Sequence, residues 1–205
     1  MPLLARGLCL LALLSSCAGP GWTPLNGPAL RASGPTAITV EAHSSSMFRT
    51  PSGGGPGSLL AMAQNSGMMK DDVEDPAQQV GDQLAMMLAK RYRLEVKGQT
   101  KSAAATAEQG RPDLTLSIQT SDWGIECHDP HTRENCYVVY RASLELKDNR
   151  SGRLLAAGDC ENTAADRVIV GTRRVNVTLV VHAMEQAAED CVDFFRTKLL
   201  GIYSK

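Results

Sequence analysis

The sequence predicts an α+β domain with a largely antiparallel sheet of four to five strands and two helices packed on one face. Two segments, 75–92 and 176–200, carry apolar residues at helical spacing. Between them, three segments alternate apolar and polar residues, as strands do when one face of the sheet is in water. The two apolar helix stripes can then be buried together against the other face of the sheet.

The first helix is predicted at 75–92 from both its cap and its periodicity. Asp75 is a candidate N-cap, Pro76 suits the first helical position, and Gln78 completes a pattern like a capping box. Four apolar residues form one stripe along this helix: Val80, Leu84, Met87 and Leu88. A stripe of this kind is typical of a helix that packs on a core.

Two short strands flank this helix. Residues 36–41 are predicted to be a strand with Ile38 and Val40 on one side, and residues 92–96 alternate in the same way after the helix. Residues 99–111 are rich in Ala, Thr and Gly and are predicted to be a connection.

The strongest strand pattern begins at Asp113 and predicts a three-stranded meander. Its first strand turns Leu114, Leu116 and Ile118 to one side. Residues 137–147 form its second strand, with one set of alternate residues predicted to be buried (Tyr140, Ala142, Leu144, Leu146) and the other exposed (Arg141, Ser143, Glu145, Lys147). Residues 148–152 are a predicted turn and 153–160 the third strand.

The last helix is predicted near 176–200 and is ended by Gly201. Its buried face is marked by apolar residues at helical spacing: Val180, Met184, Ala187, Cys191, Phe195 and Leu199.

Composition excludes some classes of partner. The 205 residues include 21 Lys and Arg against 22 Asp and Glu, so there is no basic field for nucleic acid. Only 4% of the residues are aromatic, which leaves few platforms for stacking bases or sugars.

Two segments are predicted to lack regular structure. Residues 18–35 contain many Gly and Pro residues and are predicted to be a flexible tether. Residues 43–74 are predicted to be a flexible loop in a single domain that spans 36–205. The methionines of this loop are candidate binding residues because Met suits adaptable contact surfaces: Met62, Met68 and Met69.

Four of the six cysteines are predicted to form disulfides. Sequence proximity favours a pair between Cys127 and Cys136, and the buried position of Cys191 favours its pairing with Cys160. The alternative for 127–136 is a zinc site, since this segment also holds His128 and His131. The amino-terminal signal described below predicts export to an oxidising compartment, where cysteines form disulfides. Metal binding needs free thiolates, so export favours the disulfide over the zinc site.

The amino terminus is predicted to carry a secretory signal. Arg6 precedes a short apolar run, which is followed by Leu14-Ser15-Ser16-Cys17. These four residues resemble the lipobox of bacterial lipoproteins. The resemblance implies that residues 1–16 are a signal peptide and that Cys17 carries a lipid, palmitate included. Ala18 after the Cys implies, by the same resemblance, a periplasm-facing anchor in the outer membrane. The alternative is ordinary cleavage at a small-residue site, which would give a secreted protein.

The meander also resembles known domains. The strands Asp113-Leu-Thr-Leu-Ser-Ile-Gln and Tyr140-Arg-Ala-Ser-Leu-Glu-Leu-Lys, with the turn and the Leu-Leu-Ala that follow, are similar to a group of bacterial envelope domains. The group includes the amino-terminal domain of the Tol system's periplasmic protein, the curli-secretion lipoprotein and the lipoproteins that activate peptidoglycan synthases. The resemblance covers 75–200 and implies an α+β interaction domain rather than an enzyme.

The expected function is therefore binding or assembly in the periplasm, with an envelope protein as partner and no cofactor. Neither a Gly-x-Ser-x-Gly elbow nor a phosphate loop is present in the sequence. The exposed sheet face and the loop 43–74 are the candidate contact surfaces. The alternative function is that of an auxiliary ligand-binding lipoprotein of an envelope transport system, with the Met-rich loop lining its pocket.

Overall fold

The computed structural model describes residues 22–44, 48, 74–97, 112–127, 136–163 and 177–203. They form an α+β fold, as predicted. The helices are α1 (Gly27–Ser33), α2 (Ala77–Tyr92) and α3 (Val177–Phe194), and α3 continues into a π-helical turn (Phe195–Leu199). The strands are β1 (Ala37–Ser44), β2 (Glu95–Lys97), β3 (Leu114–Cys127), β4 (Cys136–Asp148) and β5 (Leu154–Thr163).

The five strands form one sheet in the order β2-β1-β3-β4-β5. The meander β3-β4-β5 is antiparallel, but β1 runs parallel to both of its neighbours. The sheet is thus mixed, and the prediction of a largely antiparallel sheet is wrong for the β1 pairings. For the β1–β2 pair the cause is the connection through α2, because a helical crossover returns the chain parallel to the strand it left.

The core lies between the sheet and the helices. α2 contacts β1 and β3, and α3 contacts β4 and β5. The predicted stripe of α2 is confirmed, with Val80, Leu84 and Leu88 buried and Met87 packed at the margin of the core. α2 approaches the sheet closely at Gly81, where a Cβ atom would lie only 2.6 Å from Val40 Cγ1.

The predicted cap of α2 differs in detail. The helix begins at Ala77, and Asp75 Oδ1 accepts a hydrogen bond from the Ala77 N–H at 2.9 Å. The Gln78 side chain donates to Asp82 Oδ1 at 2.8 Å, one turn further on, and the capping box stays a prediction. The helix also includes Tyr92, so the strand predicted from residue 92 begins only at Glu95.

α1 corrects the prediction that residues 18–35 contain no regular element. Asn26 caps this helix by accepting from the Ala29 N–H at 3.0 Å, with Pro28 in the first turn. Gly34 ends it in the left-handed conformation at φ 59°. Residues read as breakers therefore occupy the capping positions of a short helix, where Pro and Gly are both favoured. Leu30 of α1 is fully buried in the core.

The meander has the predicted register. Leu114, Leu116 and Ile118 of β3 are fully buried, as are Tyr140, Leu144 and Leu146 of β4. The pairing shifts by one residue between Thr120 and Asp122, which marks a β-bulge. After the bulge the buried side chains of β3 belong to odd-numbered residues, namely Trp123 and Ile125.

The last helix confirms its predicted buried face, with Val180, Met184, Ala187, Cys191, Phe195 and Leu199 all buried. A disulfide joins Cys191 to Cys160 of β5, as predicted. Gly201 follows the π-helical turn in the left-handed conformation.

Candidate functional site: the helix-free face of the sheet

Among the residues that the structure describes, α2 and α3 pack on one face of the sheet, and we call the other face the helix-free face. Its side chains are the alternate residues that point away from the core. They stand in rows across neighbouring strands because the register is fixed: Glu41, Ser117, Glu145 and Ala157 form one row, and His43, Gln119, Ser143 and Asp159 the next. The predicted exposed set of β4, Arg141, Ser143, Glu145 and Lys147, lies on this face and is exposed or half-buried.

Charge is unevenly distributed over this face. Lysines stand at one end, where Lys97 of β2 and Lys147 of β4 flank Thr39 and Thr115. Six carboxylates occupy the middle and the other end: Glu41, Asp122, Glu126, Glu145, Asp159 and Glu161. The face therefore presents a negative potential over most of its length.

Arg141 organises the acidic end. Its Nη1 donates to Asp122 Oδ2 and to Glu126 Oε1 at 3.2 Å, and its Nη2 donates to Glu161 Oε1 at 2.8 Å. The Glu161 hydrogen bond raises the pKa of Arg141; burial opposes this, and the other two carboxylates reinforce it. One guanidinium among three carboxylates fixes their positions and leaves the cluster with net negative charge.

The bulge in β3 places two of these carboxylates. Without the shift after Thr120, Asp122 would continue the buried set and point to the core. The shift instead pairs Asp122 with Arg141 and Glu126 with Tyr137 on the helix-free face. Sequence reasoning missed this cluster because a bulge leaves no clear signal in the alternation.

A second polar group is buried on the core side of the sheet. Thr120 Oγ1 donates to Asp75 Oδ1 at 2.7 Å and lies 3.3 Å from the Tyr140 hydroxyl. Burial raises the pKa of Tyr140, and the hydrogen bond with Thr120 lowers it only in part. The phenol thus stays protonated and ties β4 to the start of α2 through Thr120 and Asp75.

A third group joins the ends of three elements at Asp113. Its Oδ1 accepts from Arg150 Nη2 at 2.6 Å, while its Oδ2 accepts from the Thr36 N–H at 2.6 Å. Nearby, the Asn149 N–H donates to the Asp113 carbonyl at 2.8 Å. This arrangement fixes the start of β1 and the β4–β5 turn relative to β3, so it is structural.

The predicted site residues have different outcomes. Cys17, Met62, Met68 and Met69 lie outside the described residues. Cys160 and Cys191 are confirmed as a disulfide. Cys136 is disulfide-bonded, and the backbone register places Cys127 opposite it, while the side chain of Cys127 lies outside the described part. The pairing of these two stays a prediction, and a zinc site that used the Cys136 thiolate does not fit this structure.

Within the described ranges, no three His, Cys, Asp or Glu side chains form a group that could hold a metal ion. None of the helices in the described parts of the chain has the length and hydropathy of a membrane-spanning helix.

Comparison with known proteins gives only distant structural similarities. No protein-family model matches the chain, and no curated protein sequence matches it. The fold is similar to protein XCC0632 from Xanthomonas campestris, at 11% identity and a TM-score of 0.43, over 77% of this chain and 79% of that one. It is also similar to the PelC dodecamer from Paraburkholderia phytofirmans, at 12% identity and a TM-score of 0.39, over 75% and 84% of the two chains. A third similar structure is a lipoprotein, GNA1162 from Neisseria meningitidis, at 13% identity and a TM-score of 0.30, over 78% and 99%.

Proposed function

We propose that this chain is a lipid-anchored protein of the bacterial outer membrane that faces the periplasm and acts by binding another envelope protein, without catalysing a reaction. Two features support the proposal. The run Leu14-Ser15-Ser16-Cys17 resembles a lipobox and supplies the anchor. The helix-free face supplies a rigid, charged surface of defined register.

The helix-free face is the observation that carries this function. Its side chains stand in rows across strands that the core holds in place, so their spacing is preset before a partner arrives. Its carboxylates favour a partner segment that carries basic residues, because complementary charge increases both the association rate and the selectivity of binding.

The anchor is tested by Cys17→Ser. The substituted protein is expected to leave the membrane fraction and to take up no labelled palmitate, whereas the wild type takes up the label and sediments with membranes. A wild type that takes up no label would overturn the anchor.

The binding surface is tested by charge reversal in one row of the face. In Glu41→Lys/Glu145→Lys, both exposed carboxylates beside Ser117 change sign. Crosslinking in cells, followed by capture of the tagged protein, is expected to recover a specific envelope protein with the wild type and at least tenfold less with the variant.

The matched control is Glu185→Lys/Glu189→Lys, the same charge change on the exposed side of α3. It is expected to capture as much partner as the wild type. Equal capture by all three proteins would show that the helix-free face is not the binding surface.

A further inference from the structure

The chain just after the proposed anchor is fixed to the folded body, and we call residues 22–33 the N-terminal strap. The Thr23 N–H donates to the Ala157 carbonyl of β5 at 2.8 Å, and the Ala157 N–H donates back at 2.9 Å. Two residues on, the Leu25 N–H donates to the Leu199 carbonyl of the π-helical turn at 2.8 Å. The strap thus bonds to the edge strand of the sheet and to the end of the last helix.

Side-chain packing holds the strap as well. The Trp22 ring packs edge-to-face on Phe194, with ring centroids 5.3 Å apart. Its Nε1 lies beside Gly158, where a Cβ atom would be at 3.4 Å. Further along, Leu30 is fully buried. Trp22 is nevertheless 38% exposed, so part of the indole faces out at the β5 edge.

This attachment limits the distance between the anchor and the fold. Trp22 is five positions after Cys17, and five Cα–Cα steps span at most about 18 Å in any conformation. A folded domain of about 180 residues has a radius of gyration of about 16 Å. A lipid on Cys17 therefore cannot hold the domain far from the membrane, and it cannot reach around to the opposite side of the molecule.

We propose that the β5 edge around Trp22 lies against the lipid surface, with the Trp22 indole in the headgroup layer. This inference rests on the proposed lipid anchor. Tryptophan suits this position because its ring is apolar and its N–H is polar, and it is enriched at membrane interfaces. Because the membrane lies at an edge of the sheet, the helix-free face stays accessible to a partner in the envelope.

Contact between the β5 edge and the lipid surface does not require electrostatic attraction to anionic lipid. Exposed Asp159 adjoins Gly158, and exposed Asp193 adjoins Phe194 and pairs with Arg196 at 3.0 Å. The short link and the indole are expected to suffice on zwitterionic vesicles.

The test uses tryptophan fluorescence of the full lipidated chain in phosphatidylcholine vesicles with brominated acyl chains, which quench nearby indoles. The chain has two tryptophans, and Trp123 is only 5% exposed in the core. In Trp123→Phe the remaining fluorescence comes from Trp22. This fluorescence is expected to be at least twofold lower in brominated vesicles than in unbrominated ones. In Trp22→Phe the remaining buried Trp123 is expected to show no such change.

A spacer variant tests the role of the short link. Twelve Gly and Ser residues inserted between residues 21 and 22 keep the lipid but lengthen the reach, and quenching of Trp22 is expected to drop to less than half of its former extent. Equal quenching with and without the spacer would overturn the role of the short link. If Trp123→Phe fails to fold, the difference between wild type and Trp22→Phe gives the same quantity.

Measuring the intact mass of the chain shows whether Cys17 carries a lipid, and this distinguishes failure of the inference from failure of the proposed function. A chain without lipid on Cys17 would refute both. A lipidated chain whose Trp22 is not quenched by the brominated vesicles would refute only the proposal that the β5 edge lies against the lipid surface.

Discussion

Thr36 and Asp113 are 77 positions apart in the chain, yet the Asp113 carboxylate accepts hydrogen bonds from both the N–H and the hydroxyl of Thr36, at 2.6 and 2.7 Å. The carboxylate also accepts from the Ala37 N–H at 3.2 Å and from Arg150 Nε at 2.7 Å. One buried charge therefore aligns the first residues of β1 with β3. It also secures the turn after β4.

The lowered pKa of the Asp113 carboxyl predicts that the stability of the fold depends on pH. Burial alone would raise the pKa of Asp113, but the hydrogen bonds from Thr36, Arg150 and Ala37 outweigh it and lower the pKa from 3.8 to about 2. Because the pKa is lower in the folded state, the stabilisation is complete above about pH 5 and is lost as the pH falls from about 4 towards 2.

Asp113→Asn removes that contribution. It is expected to lower the free energy of unfolding by about 2 kcal/mol at pH 7, as measured by urea denaturation. The difference from wild type should shrink as the pH falls to 3. Asp159→Asn, at an exposed position, is the control and should change stability by less than about 0.5 kcal/mol. A constant difference between wild type and Asp113→Asn from pH 7 to 3 would contradict the assignment.

Leu30 tests whether the N-terminal strap belongs to the folded core. Leu30→Ala removes a fully buried side chain and is expected to lower the free energy of unfolding by about 2–5 kcal/mol. Arg31→Ala, next to it on the exposed side of α1, should have little effect. Equal melting temperatures for the two variants would show that α1 does not stabilise the domain.

Much of the fold could be predicted because its elements obey simple periodicities. The buried faces of β3, β4, α2 and α3 follow from spacing alone, and Leu116, Leu144 and Leu84 lie in the core as predicted. The pairing partners of β1 could not be predicted in the same way. The alternation of β1 does not say whether its neighbours run parallel or antiparallel.

Two local features escaped sequence reasoning for a common reason. Residue types such as Asn, Pro and Gly interrupt helices, but they also occur where helices begin and end. In α1 they are Asn26, Pro28 and Gly34, and only the burial of Leu30 decides between these roles. Likewise, the bulge after Thr120 moves Asp122 to the helix-free face by a shift of one residue. The Arg141 cluster depends on that shift, so its members are brought together only by the tertiary register.

The Cys160–Cys191 disulfide links β5 to α3 across a sequence separation of 31. Replacing both residues with Ala is expected to lower stability by about 3–4 kcal/mol, mainly because the unfolded chain is then less restricted. Thermal unfolding should show the loss, and a reducing agent should no longer affect the melting temperature through this bond. Peptide mapping without reduction should also find Cys127 linked to Cys136, and a Cys127–Cys160 link would contradict both pairs.

The register of β4 is tested by adjacent substitutions. Leu144→Asp places a charge in the core, where an unpaired carboxylate costs several kcal/mol, comparable to the whole stability of a domain. Glu145→Ala, one residue on, lies on the helix-free face and should change stability by less than about 0.5 kcal/mol. Circular dichroism melts distinguish the two, and equal losses would mean that the register is shifted by one residue.

Arg141 holds three carboxylates together, so its removal should expose their mutual repulsion. Arg141→Gln is expected to lower the free energy of unfolding by about 1–3 kcal/mol at low salt, because Asp122, Glu126 and Glu161 lose a shared charged donor. Salt screens repulsion between partly exposed charges, so the deficit relative to wild type should shrink between about 0.01 and 1 M NaCl. Lys147→Gln, at the other end of the same strand face, is the control and should show neither effect. A deficit that does not change with salt would mean that Arg141 stabilises the sheet by packing rather than by neutralising this cluster.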